Sequence, residues 1–574
     1  MGRWVPLTFR LEIACGVNRV RLVIARHNKQ GGLDPQDAVS VIVRPDIEWR
    51  SFHHKTKAFL GPETAWPAAM QLAANGFTFT PVPGETLGIE TDVGTYHHAN
   101  EWSYMVAHPE EKGRGQDAAG DLFSPGWFDV TLEGSQQAVL TASRRDAWEQ
   151  DGNWKLAVGN PAHRDGGLRA DEILTVPQAL SRALSLYVVR RDALRTVIAG
   201  YPWFLDWGRD TLIVLRGLIA AGRHDEALAI LKEFGRFECQ GTLPNMIRGN
   251  DDANRETSDA PLWFCVAAGD LMDATDERDV LDARCGNRPL RDVLVSILTH
   301  MRDGMPNGIR MDPESGLIYS PPHYTWMDTN YPAATPREGY PVEIQALWIA
   351  SLRLVARKID ASWSALAEKA SLSLAKYFVV KEGWLADCLR ARPGVPASKA
   401  EKEDTLRPNQ LLAITLGVPL ASALERSILR ACECLLVPGA IRSLADRHVR
   451  ADMAVWRDGA LLNDPHHPYQ GHYLGDEDTQ RKPAYHNGTA WSWQFPLYVE
   501  ALVKVYGPAA HATGLSLLGS AVEHLNRGSL CHMPEICDGD APHVARGCGA
   551  QAWGVSELLR VWQKTEQSQT RVSE

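Results

Sequence analysis

Between Ala199 and Asp210 the chain reads Ala-Gly-Tyr-Pro-Trp-Phe-Leu-Asp-Trp-Gly-Arg-Asp, four aromatics, two carboxylates and an arginine in twelve residues. A buried core has no use for so many charges, and a solvated loop has none for so many large rings. A sugar ring is apolar on its faces and polar at its rim, so aromatic faces beside bidentate hydrogen-bonding groups suit it. The same design recurs, a carboxylate or amide beside tryptophan or glycine near a helix end. It returns in Gly241–Asn245, Asn254–Asp259, Tyr324–Asn330, Thr335–Ile344, Arg407–Gln410, Tyr485–Trp493, His532–Gly539 and Arg546–Trp553. The pattern points to a carbohydrate-active enzyme.

Within these segments Asp328 lies in a long loop among aromatics. A carboxyl desolvated by such neighbours holds its proton to higher pH, which is what a general acid requires. Glu535 follows Pro534 at an apolar-to-polar transition, and its surroundings alone do not single it out as a base. Asp259 falls in the first turn of a helix that Thr257 or Ser258 can cap, so dipole stabilisation and substrate binding both fit. Glu343 opens a helix after Pro341, where a cap and a ligand contact fit equally. The histidines show no HExxH or paired ligand spacing, so neither a metal nor an organic cofactor is expected.

These groups need a scaffold. The length of 574 residues implies two or more domains. With 44% hydrophobic and 23% charged residues, the composition is that of a soluble globular protein. A net charge of -10 argues against a nucleic-acid partner and fits an uncharged substrate. The 19 tryptophans against 13 phenylalanines divide between core and sugar-facing surface. Ten cysteines without repeating spacing read as reduced thiols. The start lacks a signal peptide's order and no apolar run reaches membrane length, so a cytoplasmic protein without membrane partners is expected. Nothing in the sequence specifies an oligomeric state.

Residues 1–143 read as a β-sandwich domain, with strands over Arg19–Ala25, Ala38–Val43 and Gly126–Leu140, the last turning at Glu133-Gly134-Ser135. Residues 144–173, polar and glycine-rich, read as a linker. From there the apolar period lengthens and about twelve helices follow over 174–565, before a tail at 566–574. Among them are Val176–Arg190, Val342–Lys358, Pro408–Leu416, Ala509–Leu525 and Gln551–Trp562. Periodicity alone gives a large all-α domain.

The clusters, in this order, resemble the glycogen-debranching amylo-α-1,6-glucosidase family. The resemblance runs through AGYPWFLDWGRDT, GTLPN, TSDAPLWF, TWMD, TPREGYPVEI, RPNQ, YHNGTAWSW, MPEICDGD and GCGAQAWGVSELL. The first domain shares Arg44-Pro45, Trp49 to His53 and Asp121 to Gly126 with that family's sandwich. The resemblance implies a mainly α fold, an (α/α)6 double-ring barrel preceded by the sandwich. It also implies inverting hydrolysis that removes α-1,6-linked glucose from branch points of glycogen or limit dextrins. Asp328 would be the general acid and Glu535 the general base. Asp206, Trp207, Arg209, Asp210, Asn245, Asp259, Trp326, Glu343, His486 and Trp493 would bind the terminal glucose of an α-glucan. Departures are the Trp-Ser-Trp of Trp491 to Trp493, Gly554 where serine is more usual, and a start partway into the sandwich. These residues also leave no room for a glucanotransferase barrel, so another enzyme would first trim each branch to one glucose. Trehalase-like and other α-glucosidase activities share the architecture. A glycoside phosphorylase and an inactive carbohydrate-binding protein are the further alternatives.

Overall fold

A computed structural model describes residues 4–13, 18–28, 32–51, 53–145, 173–249 and 251–573. It divides into two units, Met1–Arg169 and Ala170–Glu574. The expected linker lies largely outside the described residues.

Among the described residues of the first unit are nine antiparallel strands: β1 (Leu7–Ile13), β2 (Arg19–Arg26), β3 (Val39–Val43), β4 (Met70–Ala73), β5 (Gly76–Val82), β6 (Glu85–Thr91), β7 (Thr95–Ala107), β8 (Ala119–Leu132) and β9 (Gln137–Arg145). They form a six-stranded sheet in the order β1-β2-β9-β6-β5-β4 and a three-stranded sheet β3-β8-β7. Their inner faces share one apolar core, with Ile24, Phe77, Phe79 and Leu140 from the larger sheet and Phe123, Phe128 and Val130 from the smaller. Trp66, on a short helix between β3 and β4, stacks on Trp102 with ring centroids 5.4 Å apart. The turn expected at Glu133 joins β8 to β9, where Gln136 N–H donates to the Glu133 carbonyl.

The second unit is helical. Helices Gly208–Ala220, Ala260–Ala274, Val342–Lys358, Leu411–Thr415, Phe495–Tyr506 and Ala552–Ser573 each pack on the next, and the last packs on the first. A second set lies against them, including Val176–Tyr187, His224–Arg236, Ser364–Phe378 and Ser422–Cys432. Glycine permits one of the closest approaches: a Cβ on Gly217 would sit 2.3 Å from Ser556 Oγ and 2.7 Å from its carbonyl. Ser556 Oγ instead accepts from Gly217 N–H and donates to the Val214 carbonyl. Three of the cyclic helices are entered directly from a short strand, at Trp207, Pro341 and Gln551. Those strands pair with Met246–Ile247, Cys388–Arg390 and Gly200–Tyr201 respectively.

Of the described residues, 38% are helix and 25% strand. The chain is therefore mixed, and "mainly α" describes its second unit. The expected helix from Val176 stops at Tyr187, where the β-branched pair Val188-Val189 turns into a hairpin with Leu194–Val197. Pro408–Leu416 opens with a 3-10 turn, and Ala509–Leu525 breaks near Ser520. The final helix continues through the expected tail to Ser573. Among the described residues, no helix is long and apolar enough to cross a membrane.

Candidate active site

The N-terminus of helix Gly208–Ala220 carries Arg209 and Asp210 at the centre of a cluster of acids. Arg209 is 4% exposed. It donates through Nη1 to Asp259 Oδ2 at 3.4 Å and through Nη2 to Asp328 Oδ2 at 3.1 Å. Asp259, the residue before helix Ala260–Ala274, also accepts from Thr257 Oγ1 at 2.7 Å. It makes no cap bond of its own, because Thr257 Oγ1 accepts the Ala260 N–H. Asp259 is thus oriented toward the arginine.

Asp328 keeps a third of its side chain exposed within this ring of groups. Burial among them raises its pKa, against the opposing pull of the Arg209 guanidinium. Asp210 accepts from Gln551 Nε2 at 3.3 Å. Its pKa is pushed up to about 7, first by burial, with Arg209 opposing and the charges of Asp328, Glu535 and Asp259 adding to the rise. Asp210 thus feels both carboxyls named as acid and base, which come from segments far apart in the chain.

Glu535 is 2% exposed and held by donors on both oxygens. The Tyr485 hydroxyl donates to Oε1, and the Cys548 backbone N–H donates to Oε2 at 2.8 Å. An ionised carboxylate only accepts, so two donors suit that form. Gly547 is required beside it: its φ is +67°, and a Cβ there would lie 2.3 Å from Glu535 Oε2.

An aromatic wall adjoins the acids. Trp326 meets His486, Trp491 and Trp493 edge-on with centroids 5.0–5.3 Å apart, and Trp493 stacks on Trp553 at 5.0 Å. Burial, with Arg407 and Arg209 nearby, holds His486 well below the usual imidazole range, and its Nδ1 pairs with Thr329 Oγ1 at 2.6 Å. Neutral His486 leaves Nε2 without a partner, as do Trp493 Nε1, Trp553 Nε1, Arg209 Nε, Asn245 Oδ1 and Gln551 Oε1, all buried. Buried polar atoms are nearly always bonded, so orphans in this neighbourhood fit a polyhydroxylated ligand.

Some sequence-assigned groups are committed elsewhere. Glu343 is 1% exposed, and Arg337 takes both its oxygens, with Nη2 to Oε2 at 2.6 Å. Arg337 Nε also donates to Asp387 Oδ2 at 2.7 Å, so the pair belongs to a buried ionic support. Asp206 accepts from Arg191 Nε at 2.8 Å, and burial raises its pKa to about 6. Its pairing with Arg191 turns it toward the Val188–Val197 hairpin. Trp326 is 3% exposed and gives its indole N–H to Asn409 Oδ1 at 2.8 Å, so it backs the wall. Trp207 is half-buried in a two-residue pairing with Met246. Asn245 holds the start of helix Gly208–Ala220 by accepting the Gly208 N–H at its carbonyl.

Residues 181–560 match the family model described as amylo-alpha-1,6-glucosidase, and residues 2–139 match that described as glycogen debranching enzyme N terminal. The chain belongs to the amylo-alpha-1,6-glucosidase family. The glycogen debranching enzyme of Saccharomyces cerevisiae is 24% identical over 426 residues, 57% of this chain and 26% of that enzyme. The match therefore spans about a quarter of the yeast relative's length. Solved structures of a glycosidase, wild type and a variant in complex with glucose, share 13% identity with TM-scores of 0.46 and 0.43. Each covers 70% of this chain and 99% of its own.

Seen as a family member, the chain carries supporting residues that sequence reasoning passed over. Tyr485, Gln551, Arg337 and Asn409 all lie inside the segments whose composition suits a sugar, and their contacts come from positions distant in the chain. Only the fold brings Tyr485 to Glu535 across fifty positions. The two departures in the helical unit meet each other. A Cβ on Gly554 would sit 2.5 Å from Ser492 Oγ, which donates to the Pro534 carbonyl at 2.6 Å beside the base. Glycine at one position makes room for serine at the other.

Proposed function

We propose that this chain is an inverting glycoside hydrolase that removes α-1,6-linked glucose from branch points of glycogen or limit dextrins. Protonated Asp328 donates to the glycosidic oxygen as the bond breaks. Glu535 draws a proton from a water that attacks the anomeric carbon from the opposite face, giving β-glucose. Room for that water requires a carboxyl separation of roughly 6.5–9.5 Å. The developing positive charge on the ring is stabilised by Asp259 and, once it ionises, by Asp210.

The observation that carries this reading is the single acidic cluster that joins Asp328, Asp210 and Glu535 at one helix N-terminus. The differing treatment of the two carboxyls supports their roles, one raised and part-open, the other gripped by two donors. The cyclic packing of six helices with others outside them supports the (α/α)6 double ring as the catalytic domain over 174–565, behind a sandwich domain over 1–143. The matched families favour an α-glucan over trehalose.

The test is product analysis by NMR on 6-O-glucosyl branched dextrins, isomaltose, maltose and trehalose. β-Glucose from branch points alone is the expected result. α-Glucose, or phosphate-dependent release of glucose 1-phosphate, would overturn the mechanism, and turnover confined to trehalose or maltose would overturn the substrate.

A further inference from the structure

Asp328 is followed by Thr329, whose hydroxyl turns inward to His486, and then the chain leaves the site through Asn330 and Tyr331. Three residues reach at most about 11 Å, so Tyr331 stands at the rim on the acid's side. Tyr331 is 75% exposed. Its backbone is fixed in the left-handed region, φ +53°, a conformation unfavourable for a bulky side chain and kept only where the surroundings impose it. Here Arg457 Nη1 and Lys482 Nζ both donate to the Tyr331 carbonyl, at 3.0 and 3.3 Å. Asp478 locks the two cations together, accepting from Lys482 at 2.6 Å and pairing with Arg457 at 3.0 Å.

Both anchors lead to informative places. Lys482 begins the short helix Lys482–Tyr485 whose last residue holds Glu535. Arg457 sits in a tight hairpin, Trp456–Arg457 against Ala460–Leu461, turned by Asp458 and Gly459 at φ +49° and +82°. That two-residue Asp-Gly turn fixes strand register and hence which face Trp456 presents. Trp456 is 57% exposed, and Leu461 opposite it on the same face is 44% exposed. Single exposed aromatics are ordinary. Here two lie on segments tied by Arg457, and Lys482 extends the tie from the acid's loop to the helix that supports the base.

We propose that Tyr331 and Trp456 form an aromatic platform that binds the malto-oligosaccharide chain on the leaving-group side of the scissile bond. This rests on the glucosidase reading above. The groups around Arg209 and the tryptophan wall are buried and suit one terminal sugar, so the remaining chain must emerge past Asp328, which protonates its oxygen. Apolar sugar faces stacked on the two rings would select branch points carried on a long main chain over short glucosides.

The experiment compares wild type with Tyr331→Ala, Trp456→Ala and Trp456→Phe on a 6-O-glucosyl maltoheptaose-type dextrin and on isomaltose. The ratio of kcat/KM for dextrin to that for isomaltose is expected to fall about tenfold in each alanine variant, through KM, with Phe restoring most of it. An unchanged ratio would overturn the platform. Linear maltoheptaose, lacking a branch, reads binding separately by calorimetry: heat of binding lost in Trp456→Ala supports the platform even if no glucoside is hydrolysed. No heat with the wild type refutes it even if the hydrolysis is established.

Discussion

Helices Gly208–Ala220 and Ala260–Ala274 each take part in two buried ionic clusters, and the two could hardly be built more differently. At their N-termini Arg209 is shared by Asp210, Asp259 and Asp328, and the charge of Glu535 also acts on Asp210, so that acids outnumber the cation. About 10 Å further along, at the rise of a helix, Arg216 meets Asp270 at 2.9 Å. There Arg560 grips Glu500 through both oxygens at 3.0 and 2.7 Å and bonds Glu557, while Lys564 adds a contact to Glu500. Three acids face three cations. The pairing with Arg560 and Lys564 overcomes burial and holds Glu500 well below the usual carboxylate range. Around Arg209 burial and mutual repulsion win, and Asp210 and Asp328 are raised. Balanced charge fastens helices together. Unbalanced charge leaves carboxyls with raised pKa values, at a standing cost in stability.

Substitution in the two clusters should therefore separate activity from stability. Asp328→Asn and Glu535→Gln are expected to lower kcat by about 10²–10⁴-fold while calorimetric glucose affinity stays near wild type. Wild-type-like turnover in either would dissolve the contrast at its functional end. In the balanced cluster, Glu500→Gln leaves the Arg560 charge buried with too few partners. Urea titration should show a loss of about 3–5 kcal/mol, with kcat per folded molecule little altered. A stability loss below the resolution of the titration would show that the balance is incidental.

Tyr485→Phe sharpens the comparison from within the site. Removing a donor from Glu535 disfavours its ionised form, so the acidic limb of kcat/KM against pH should move upward by about one unit. An unmoved limb, with loss only in thermal stability, would make Tyr485 a packing residue.

A last test concerns Asp210→Asn, which still accepts the Gln551 bond. Folded Asp210 holds its proton to about pH 7, whereas the unfolded chain releases it near the ordinary aspartate value. Stability from this group is therefore present at low pH and lost as pH rises from about 4 to 7. The substitution should raise Tm at pH 8, with the gain vanishing near pH 4. A gain equal at both pH values would place its origin in packing.

Local chemistry made much of this visible beforehand. Val342–Lys358 is a helix with the bounds that its apolar period prescribes, since Pro341 starts it and Ile359-Asp360 ends it. The β8–β9 turn is equally local, marked by Glu133 and Gly134. Elsewhere the same rules gave way. Val188-Val189 satisfies a helical period but pairs as a strand with Thr196-Val197, because a partner four residues past the turn competes for its backbone. Glu343 shows the limit for side chains. A carboxylate at a helix start after Pro341 fits a cap and a ligand contact equally, and only the fold shows Arg337 reaching across the turn to pair with it.

Residue chemistry and its local rhythm belong to the chain as written: the sugar-suited mixture of rings and charges, the change of period after the first domain, and the family. The tertiary structure decided which carboxyls are matched and which are left in excess. That depends on contacts between positions as far apart as Arg209 and Asp328 or Tyr485 and Glu535. Electrostatic energy is set by distance and desolvation, and neither is a property of a residue's neighbours along the chain.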